Sequence, residues 1–150
     1  MTPSGEVMAP GETALAFMQA LWASDTAAAD SMLTDDATWA FQLGMPQAAL
    51  RDDRIWPARE AMRQIIADLF GLFDPEGFSV ETTRIIVGAS VAGQDRDVAI
   101  EYQASGRTAK GAEYRNFYVT LLRERGDKIS DIRPFNDTQH MLAMLAPAGA

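Results

Sequence analysis

The apolar residues of this 150-residue chain change their spacing part-way along it, and this change constrains the fold more than any other feature. Residues 13–23 and 57–73 carry apolar side chains at intervals of three and four, which predicts amphipathic helices. From residue 78 onward, short runs rich in Val, Ile, Thr and aromatic residues are separated by polar or Gly-containing turns, which predicts antiparallel strands. Helices followed by strands indicate an α+β fold rather than a wound parallel sheet.

Turn and capping signals divide the chain into elements. We predict helices over 13–23, from Asp25 to Leu33, from Pro57 to about 73, and over 138–145. We predict a turn at 34–36, a loop at 44–55, and strands over 37–43, 78–92, 98–105, 113–124 and 128–135. The whole chain is predicted to be one domain, with a flexible tail over residues 1–11 and a folded core over 12–146.

The composition supports one folded domain and excludes several classes of function. Hydrophobic residues make up 47% of the chain, which is enough for a substantial core. The formal net charge is −8, from 21 acidic and 13 basic side chains, so nucleic acid is not expected as a partner. The chain has no cysteine, which excludes disulfides, thiolate metal sites and cysteine nucleophiles.

The chain shows no targeting or membrane signal. Its start, MTPSGEVMAPGE, has neither the basic segment nor the apolar segment of a signal peptide. No apolar run approaches the roughly 20 residues that span a bilayer. We therefore expect a soluble cytoplasmic protein that has no membrane partner.

The C-terminal strands resemble a known family. The stretch YRNFYVTLLRERGDKISDIRPFNDTQH (114–140) resembles SnoaL-like members of the nuclear transport factor 2-like superfamily. Their usual pattern is an Asn-x-Tyr strand, a Gly-Lys-Ile hairpin and a strand ending in Arg-x-(aromatic)-x-Asp-Thr. Residues 17–25 and 33–41 resemble the first two helices and first strand of ketosteroid isomerase-like proteins, so the resemblance covers residues 12–146.

The element order and the resemblance together imply a cone-shaped fold. In it, a curved antiparallel sheet wraps around the N-terminal helices and encloses a pocket. The resemblance also implies a homodimer formed through the outer face of the sheet. It does not identify a reaction, because this superfamily includes isomerases, polyketide cyclases, dehydratases, epoxide hydrolases and non-enzymes.

The chain departs from two mechanisms of the superfamily. The catalytic Tyr and general-base Asp of ketosteroid isomerases are matched by Phe17 and Phe41, and their protonated Asp falls near Thr120. Limonene epoxide hydrolase uses an Arg between two aspartates. At best Glu101 replaces the first of these aspartates, and Pro134 occupies the position of the second. Neither activity is therefore implied for this chain.

Polar residues on two predicted strands are candidates for the chemistry. Glu101 shares a strand face with Ala99; if that face lines the pocket, burial raises the pKa of Glu101 and makes it a general acid or base. If that face meets solvent or another subunit, Glu101 is solvated or paired with an Arg. Asn116, Tyr118 and Thr120 share one face of the next strand, where they can hold a ligand oxygen or bond to one another across strands.

The remaining candidates on the predicted strands and loop are aromatic residues of the pocket wall and one arginine. The aromatic side chains expected to form pocket walls, or otherwise ordinary core, are Phe17, Trp39, Phe41, Trp56 and Phe135. Arg133 is expected to orient Glu101 or Asp137, to bind an anionic group, or to form a structural ion pair.

Asp137 and His140, three residues apart, look like an acid–base pair, but a simpler interpretation exists. Asp directly before a short helix is a favoured N-cap, and His140 is then a helix-surface residue on the first turn. Asp137 remains a candidate at the pocket mouth. With a single histidine and no cysteine, neither a metal site nor a cofactor is expected.

These observations lead to two hypotheses for function. In the first, the pocket binds a small, mainly apolar carbonyl compound and performs cofactor-free acid–base chemistry of isomerase, cyclase or dehydratase type. Glu101 or Asp137 moves the proton, while Asn116 and Tyr118 hold the oxygen that gains negative charge. In the second, the protein is a non-catalytic ligand-binding or protein-interaction module of the same fold.

Overall fold

A computed structural model of the chain describes residues 9–42, 54–68, 70–74, 76–91, 95–108 and 110–145. Its helices are α1 (Glu12–Trp22), α2 (Thr26–Ser31), α3 (Ala58–Asp68) and α4 (Thr138–Leu145), and a 3₁₀ turn lies at Phe70–Leu72. Its strands are β1 (Leu33–Ala40), β2 (Ile55–Pro57), β3 (Ser79–Val91), β4 (Asp95–Arg107), β5 (Glu113–Arg125) and β6 (Lys128–Asn136). Residues 1–8 of the tail predicted over 1–11, and residues 44–53 of the loop predicted over 44–55, lie outside the described residues.

The six strands form one curved sheet in the order β2-β1-β6-β5-β4-β3. The pairing of β1 with β6 is parallel, and every other pair is antiparallel. The prediction of an α+β fold with a meander in the second half is confirmed. The long β3–β4–β5 ribbon and the helices at its inner face form the cone expected from the sequence.

Burial alternates along the central strands because successive side chains point to opposite faces. On β4, Val98, Ile100 and Tyr102 are buried, whereas Ala99 and Glu101 are half-buried on the other face. The inner face packs against α1, whose Phe17 and Met18 belong to the hydrophobic core. The core therefore lies between the helices and one face of the sheet.

The N-termini of α2 and α1 are capped in different ways. The Asp25 side chain accepts a hydrogen bond from Ala28 N at 3.1 Å, which confirms the predicted cap of α2. The N-terminus of α1 has no local side-chain cap. Instead, the buried carboxylate of Glu124, from the far end of β5, accepts hydrogen bonds from Gly11 N at 3.1 Å and Ala14 N at 2.9 Å.

Three predicted boundaries are wrong. The turn predicted at 34–36 is part of β1, which continues through it because a register shift between Leu33 and Thr38 accommodates the extra residues against β6. The strand β2 lies where the sequence predicts the end of a loop at Ile55 and the first turn of a helix at Pro57, since three residues are too short to show a period. The third helix ends at Asp68 and not near 73. Among the described helices, none is long and apolar enough to cross a membrane.

Candidate functional site

A cavity lies between the inner face of the sheet and the helices. Its volume is about 80 Å³, well above the roughly 10–15 Å³ that one water molecule needs. Helix α1 contributes Met18, Leu21 and Trp22, and Met141 of α4 closes another side. Ala104 of β4 is a small side chain among these larger ones in the lining.

Nearly half of the residues that line the cavity are aromatic. Trp39, Phe41, Phe73 and Phe78 line it together with Trp22 and three tyrosines. The rings contact one another: Trp39 and Phe41 lie 6.0 Å apart, and Phe73 and Phe78 lie 5.2 Å apart. Such contacts hold the walls in place and leave an apolar surface toward the cavity.

Three tyrosines from neighbouring strands form the polar side of the cavity. Tyr102 and Tyr118 occupy opposite positions on β4 and β5, and their rings stack in parallel at 5.1 Å. The Tyr102 hydroxyl lies 2.9 Å from Thr120 Oγ1, and the Tyr114 hydroxyl lies 2.6 Å from that of Tyr118. Asn116 Nδ2 donates to the Tyr114 hydroxyl at 2.9 Å. The cavity is thus bordered by two hydrogen-bonded clusters.

The tyrosines are neutral under physiological conditions. Burial raises the pKa of Tyr102, Tyr114 and Tyr118 above that of a free phenol. Hydrogen bonds with Tyr114 and with the Asn136 side chain oppose this rise in the pKa of Tyr118. A neutral phenol is a hydrogen-bond donor and a poor base, so this cluster is suited to holding an acceptor atom.

The other polar groups of the lining are amides. Gln42 Oε1 accepts from Asn136 N at 2.9 Å, which joins the end of β1 to the end of β6. Asn136 Oδ1 accepts from Thr138 Oγ1 at 3.1 Å. No Asp, Glu, Lys, Arg or His lines the cavity in the described part of the chain. In that same part, no group of three or more His, Asp or Glu side chains is placed to hold a metal ion.

Four of the residues singled out from the sequence line this cavity. They are Trp39, Phe41, Tyr118 and Thr120. Asn116 is buried behind them and reaches the cavity only through Tyr114. Phe17 and Trp56 are buried in the core beside it, and Trp56 packs edge-on against Phe41 at 5.4 Å.

Three other candidates lie on the opposite face of the sheet. Glu101 accepts a hydrogen bond from Thr83 Oγ1 at 2.9 Å, so of the two alternatives left open for it, the structure has the one in which its face lies away from the cavity. The reason is that Tyr102, its neighbour, occupies the inward position. Arg133 Nε pairs with Asp131 Oδ2 at 2.8 Å, and Phe135 is 43% exposed.

Asp137 caps the last helix, as the simpler interpretation predicted. Its carboxylate accepts from His140 N at 3.0 Å, and its carbonyl oxygen accepts from Asn116 Nδ2 at 3.0 Å. The exposed Asp137 side chain is not part of the cavity wall. His140 lies on the helix surface, where its ring stacks on Tyr114 at 5.8 Å and its Nε2 bonds to Arg115 O at 3.0 Å.

Sequence reasoning missed several residues of the cavity, chiefly Tyr114 and Asn136. Tyr114 shares the alternation of Asn116 and Tyr118 along β5, so the same period would have found it. Tyr102 was expected on the strand face opposite Glu101, and which of these two faces lines the cavity was left open. No local signal marks Asn136, which reaches the cavity because β6 ends there.

Several proteins of known structure share this fold, at 16–19% sequence identity in the examples below. No curated protein matches the chain in sequence. A candidate SnoaL-like polyketide cyclase from Jannaschia sp. CCS1 is 19% identical, with a TM-score of 0.67 over 95% of this chain and 99% of that one. A protein with a ketosteroid isomerase-like fold from Catenulispora acidiphila DSM 44928, in complex with trimethylamine, is 19% identical, with a TM-score of 0.65 over 95% and 98%. TerC, co-crystallised with polyporic acid, is 16% identical, with a TM-score of 0.65 over 91% and 97%.

These structural likenesses show the nuclear transport factor 2-like fold, which the C-terminal pattern of the sequence had led us to expect. The sequence profile of the SnoaL-like domain matches residues 14–132, which is most of the chain. The match begins within α1 and ends within β6, so it includes five of the six strands completely. The chain belongs to the SnoaL-like domain family.

Proposed function

We propose that this protein binds a small, neutral, mainly apolar molecule in the cavity between sheet and helices. The observation that carries this proposal is the chemistry of the lining, which is largely aromatic and carries no ionic side chain in the described residues. Transfer of an ion into such a site is costly because no charge is present to compensate its lost hydration. A flat, uncharged ligand avoids that cost and gains free energy from burial against the rings.

Two features suit the site to ligands of ring size. The cavity volume of about 80 Å³ leaves room for several water-sized groups. Met18 and Met141, on opposite helices, can adjust their unbranched side chains to ligands of different shape. Two structural relatives, a candidate SnoaL-like polyketide cyclase and TerC co-crystallised with polyporic acid, are consistent with a small organic ligand for this chain.

A catalytic role is the second candidate, and the tyrosine cluster favours it. The neutral phenols can stabilise negative charge on a ligand oxygen, as donors in an oxyanion site do. The two carboxylates first considered as bases, Glu101 and Asp137, do not line the cavity. A reaction in this cavity would therefore rely on polarising a carbonyl group of the ligand. The binding function is the better supported of the two proposals.

The proposed partner is a second copy of the chain, since the outer face of the sheet exposes apolar side chains such as Phe117 and Ile86. The proposed compartment is the cytoplasm. A chain without cysteine folds without disulfides and needs no oxidising environment.

The binding proposal can be tested with three ligands of one shape. Acetophenone is neutral, α-methylstyrene replaces its carbonyl oxygen with carbon, and benzoate carries a charge. We expect both neutral compounds to raise the melting temperature and to alter the fluorescence of Trp22 and Trp39, because these indoles line the cavity. Benzoate is expected to do neither. Equal stabilisation by benzoate, or none by the neutral compounds, would refute the proposal.

A matched pair of variants locates the binding. Ala104→Leu adds volume inside the cavity and is expected to weaken binding of both neutral compounds at least tenfold, because the added methyl groups occupy the ligand's space. Ala99→Leu makes the same change on the same strand but on the opposite face, and is expected to leave the affinity unchanged. If both variants bind as wild type, the ligand lies elsewhere.

A further inference from the structure

Two apolar side chains on the inner face of β3 are exposed. Ile85 is 38% exposed and Val87 is 41% exposed. Pairing places Ile85 opposite Ile100 and Val87 opposite Val98, and both of these β4 residues are fully buried. Because residues that lie opposite each other in an antiparallel pair share a face, Ile85 and Val87 belong to the inner face of the sheet. They are therefore separate from the apolar surface on the outer face, and neither of them lines the cavity.

An unpaired hydrogen-bond donor lies at the same end of the inner face. Arg96 shares this face with Val98, because it lies two positions away on β4. Its Nε atom is buried and has no hydrogen-bond partner in the part of the chain that the structure describes. Glu124 lies opposite Arg96, but its two carboxylate oxygens accept hydrogen bonds from Gly11 N and Ala14 N. A buried N–H group without an acceptor costs free energy, so Arg96 requires an acceptor from elsewhere.

The N-terminal segment joins the fold at this place. Gly11, near the start of the described residues, is held by its hydrogen bond to Glu124. A Cβ atom built on Gly11 would lie 3.1 Å from Val87 Cγ2 and 3.5 Å from Ile85 Cγ2. An extended chain spans about 3.3–3.6 Å per residue, so residues 6–8 are close enough to Gly11 to reach both side chains.

The sequence of residues 6–8 matches both features of the inner face. These residues are Glu, Val and Met, a carboxylate followed by two apolar side chains. Glu6 is the one charged side chain in the sequence from Met1 to Met8. Because the segment is covalently joined to the fold only a few residues away, its effective concentration at this surface is high and the entropy of loop closure is small.

We propose that residues 6–8 dock on the inner face of β3 and β4. Val7 and Met8 cover the two exposed side chains of β3. The Glu6 carboxylate pairs with the Arg96 guanidinium, which gives the buried Nε an anionic acceptor. Part of the segment that the sequence predicts to be a flexible tail thus has a binding place. Since β3 is an edge strand of the sheet, the docked segment also protects it from pairing with other chains.

The first test is a double-mutant cycle on the ion pair, measured by urea denaturation of the whole chain. Glu6→Gln is expected to raise the unfolding equilibrium constant of the wild type about threefold to tenfold, the range for one net hydrogen bond. In Arg96→Met, which keeps an apolar stem and removes the donors, Glu6→Gln is expected to have no effect. The control is Glu81→Gln, an exposed substitution on β3 that removes the same charge and is expected to act equally in both backgrounds.

The second test is a double-mutant cycle on the apolar contact. Val7→Ala and Val87→Ala each remove methyl groups from the same contact. We therefore expect the unfolding constant of the double variant to lie below the product of the two single effects by at least about twofold. Val119→Ala is the matched control, since Val119 is 37% exposed but lies on the outer face. Its effect is expected to combine additively with that of Val7→Ala. Val87 and Val119 are partly exposed, so these variants are expected to fold.

Both cycles are repeated at two protein concentrations about a hundredfold apart, because docking within one chain does not depend on concentration. Coupling in both cycles at both concentrations supports the proposal. Additive effects in either cycle overturn it. Coupling that disappears on dilution assigns the surface to the segment of a second copy, and this result also overturns the proposal.

Discussion

At the scale of single residues, the most consequential polar contact outside the cavity is that of Glu124. Its buried carboxylate bridges two backbone N–H groups at the start of α1, from a strand more than a hundred positions away. Glu124→Gln keeps the shape but replaces one acceptor oxygen with a donor. One N–H group at the helix start is then buried unpaired. We expect the free energy of unfolding to fall by about 1–3 kcal/mol, measured by urea denaturation.

The matched control is Glu113→Gln, on the same strand. The Glu113 side chain is 85% exposed, and its nearest cation, on Arg107, lies 3.9 Å away. An exposed ion pair of this kind contributes little, so we expect the stability to change by less than about 0.5 kcal/mol. A loss in Glu113→Gln equal to that in Glu124→Gln would show that charge alone, and not the capping contact, stabilises the protein.

Local sequence determined which residues share a face but not which face is buried. Alternation correctly grouped Asn116, Tyr118 and Thr120, because a strand has a strict period of two. The same argument could not tell that Tyr102, and not Glu101, points inward. That choice depends on Thr83, which lies on another strand and gives Glu101 a polar partner outside the cavity. The N-cap role of Asp137 could be predicted because the contact lies within one helical turn.

At the scale of elements, Gly106 allows an aromatic layer to pack directly on β4. A Cβ atom at this position would lie 2.6 Å from Phe73 Cδ1 and 3.3 Å from Phe78 Cδ1. Both distances are shorter than van der Waals contact, and the rings are rigid. We expect Gly106→Ala to displace Phe73 from Tyr114, whose ring is 5.5 Å away. The expected loss of stability is about 1–3 kcal/mol by urea denaturation, with weaker ligand binding as the layer moves.

Gly71→Ala is the control for this change. It lies in the 3₁₀ turn just before Phe73, and an added Cβ would meet only Ile66 O at 3.9 Å, an ordinary contact. We expect the stability of this variant to stay within about 0.5 kcal/mol of wild type. If Gly106→Ala is equally harmless, Phe73 has room to shift and the layer is not fixed by the glycine.

The long elements could be predicted from sequence, and the short ones could not. The strands β3 to β6 each have nine or more residues, so their pattern repeats often enough to be recognised. The strand β2 has three residues, and it exists because Trp56 pairs with Trp39 of β1. The start of β1 at Leu33 likewise depends on its parallel partner β6. Pairings between distant segments leave no mark on a local pattern.

At the scale of the whole molecule, the outer face of the sheet is apolar where it meets solvent. Phe117 is 61% exposed, Ile86 55%, Phe135 43% and Leu121 41%. Pairing places these residues side by side: Ile86 lies opposite Ala99, which lies opposite Leu121. A contiguous apolar surface of this kind is unusual on a monomer and typical of an interface.

The border of this surface is charged and already paired within the chain. Arg123 Nε lies 2.8 Å from Asp97 Oδ1, a bond that holds the pKa of Asp97 below its usual value. Arg133 pairs with Asp131 at 2.8 Å. An apolar centre with a polar rim is the usual anatomy of a protein interface.

Three 13-residue strands and a fourth beside them give a face of roughly 43 by 19 Å, or about 800 Å². This is the area that each partner buries in a standard interface.

We propose that a second copy of the chain covers this surface, because two such sheets can pack face to face about a two-fold axis, each covering the other's apolar centre. Phe117→Glu is therefore expected to convert a dimer into a monomer, since the new carboxylate would be buried twice across the axis without a partner. Sedimentation velocity measures the change. Gln19→Glu, an exposed substitution on α1, is expected to remain dimeric. A wild-type protein that sediments as a monomer, or a Phe117→Glu variant that still dimerises, would exclude this face as the interface.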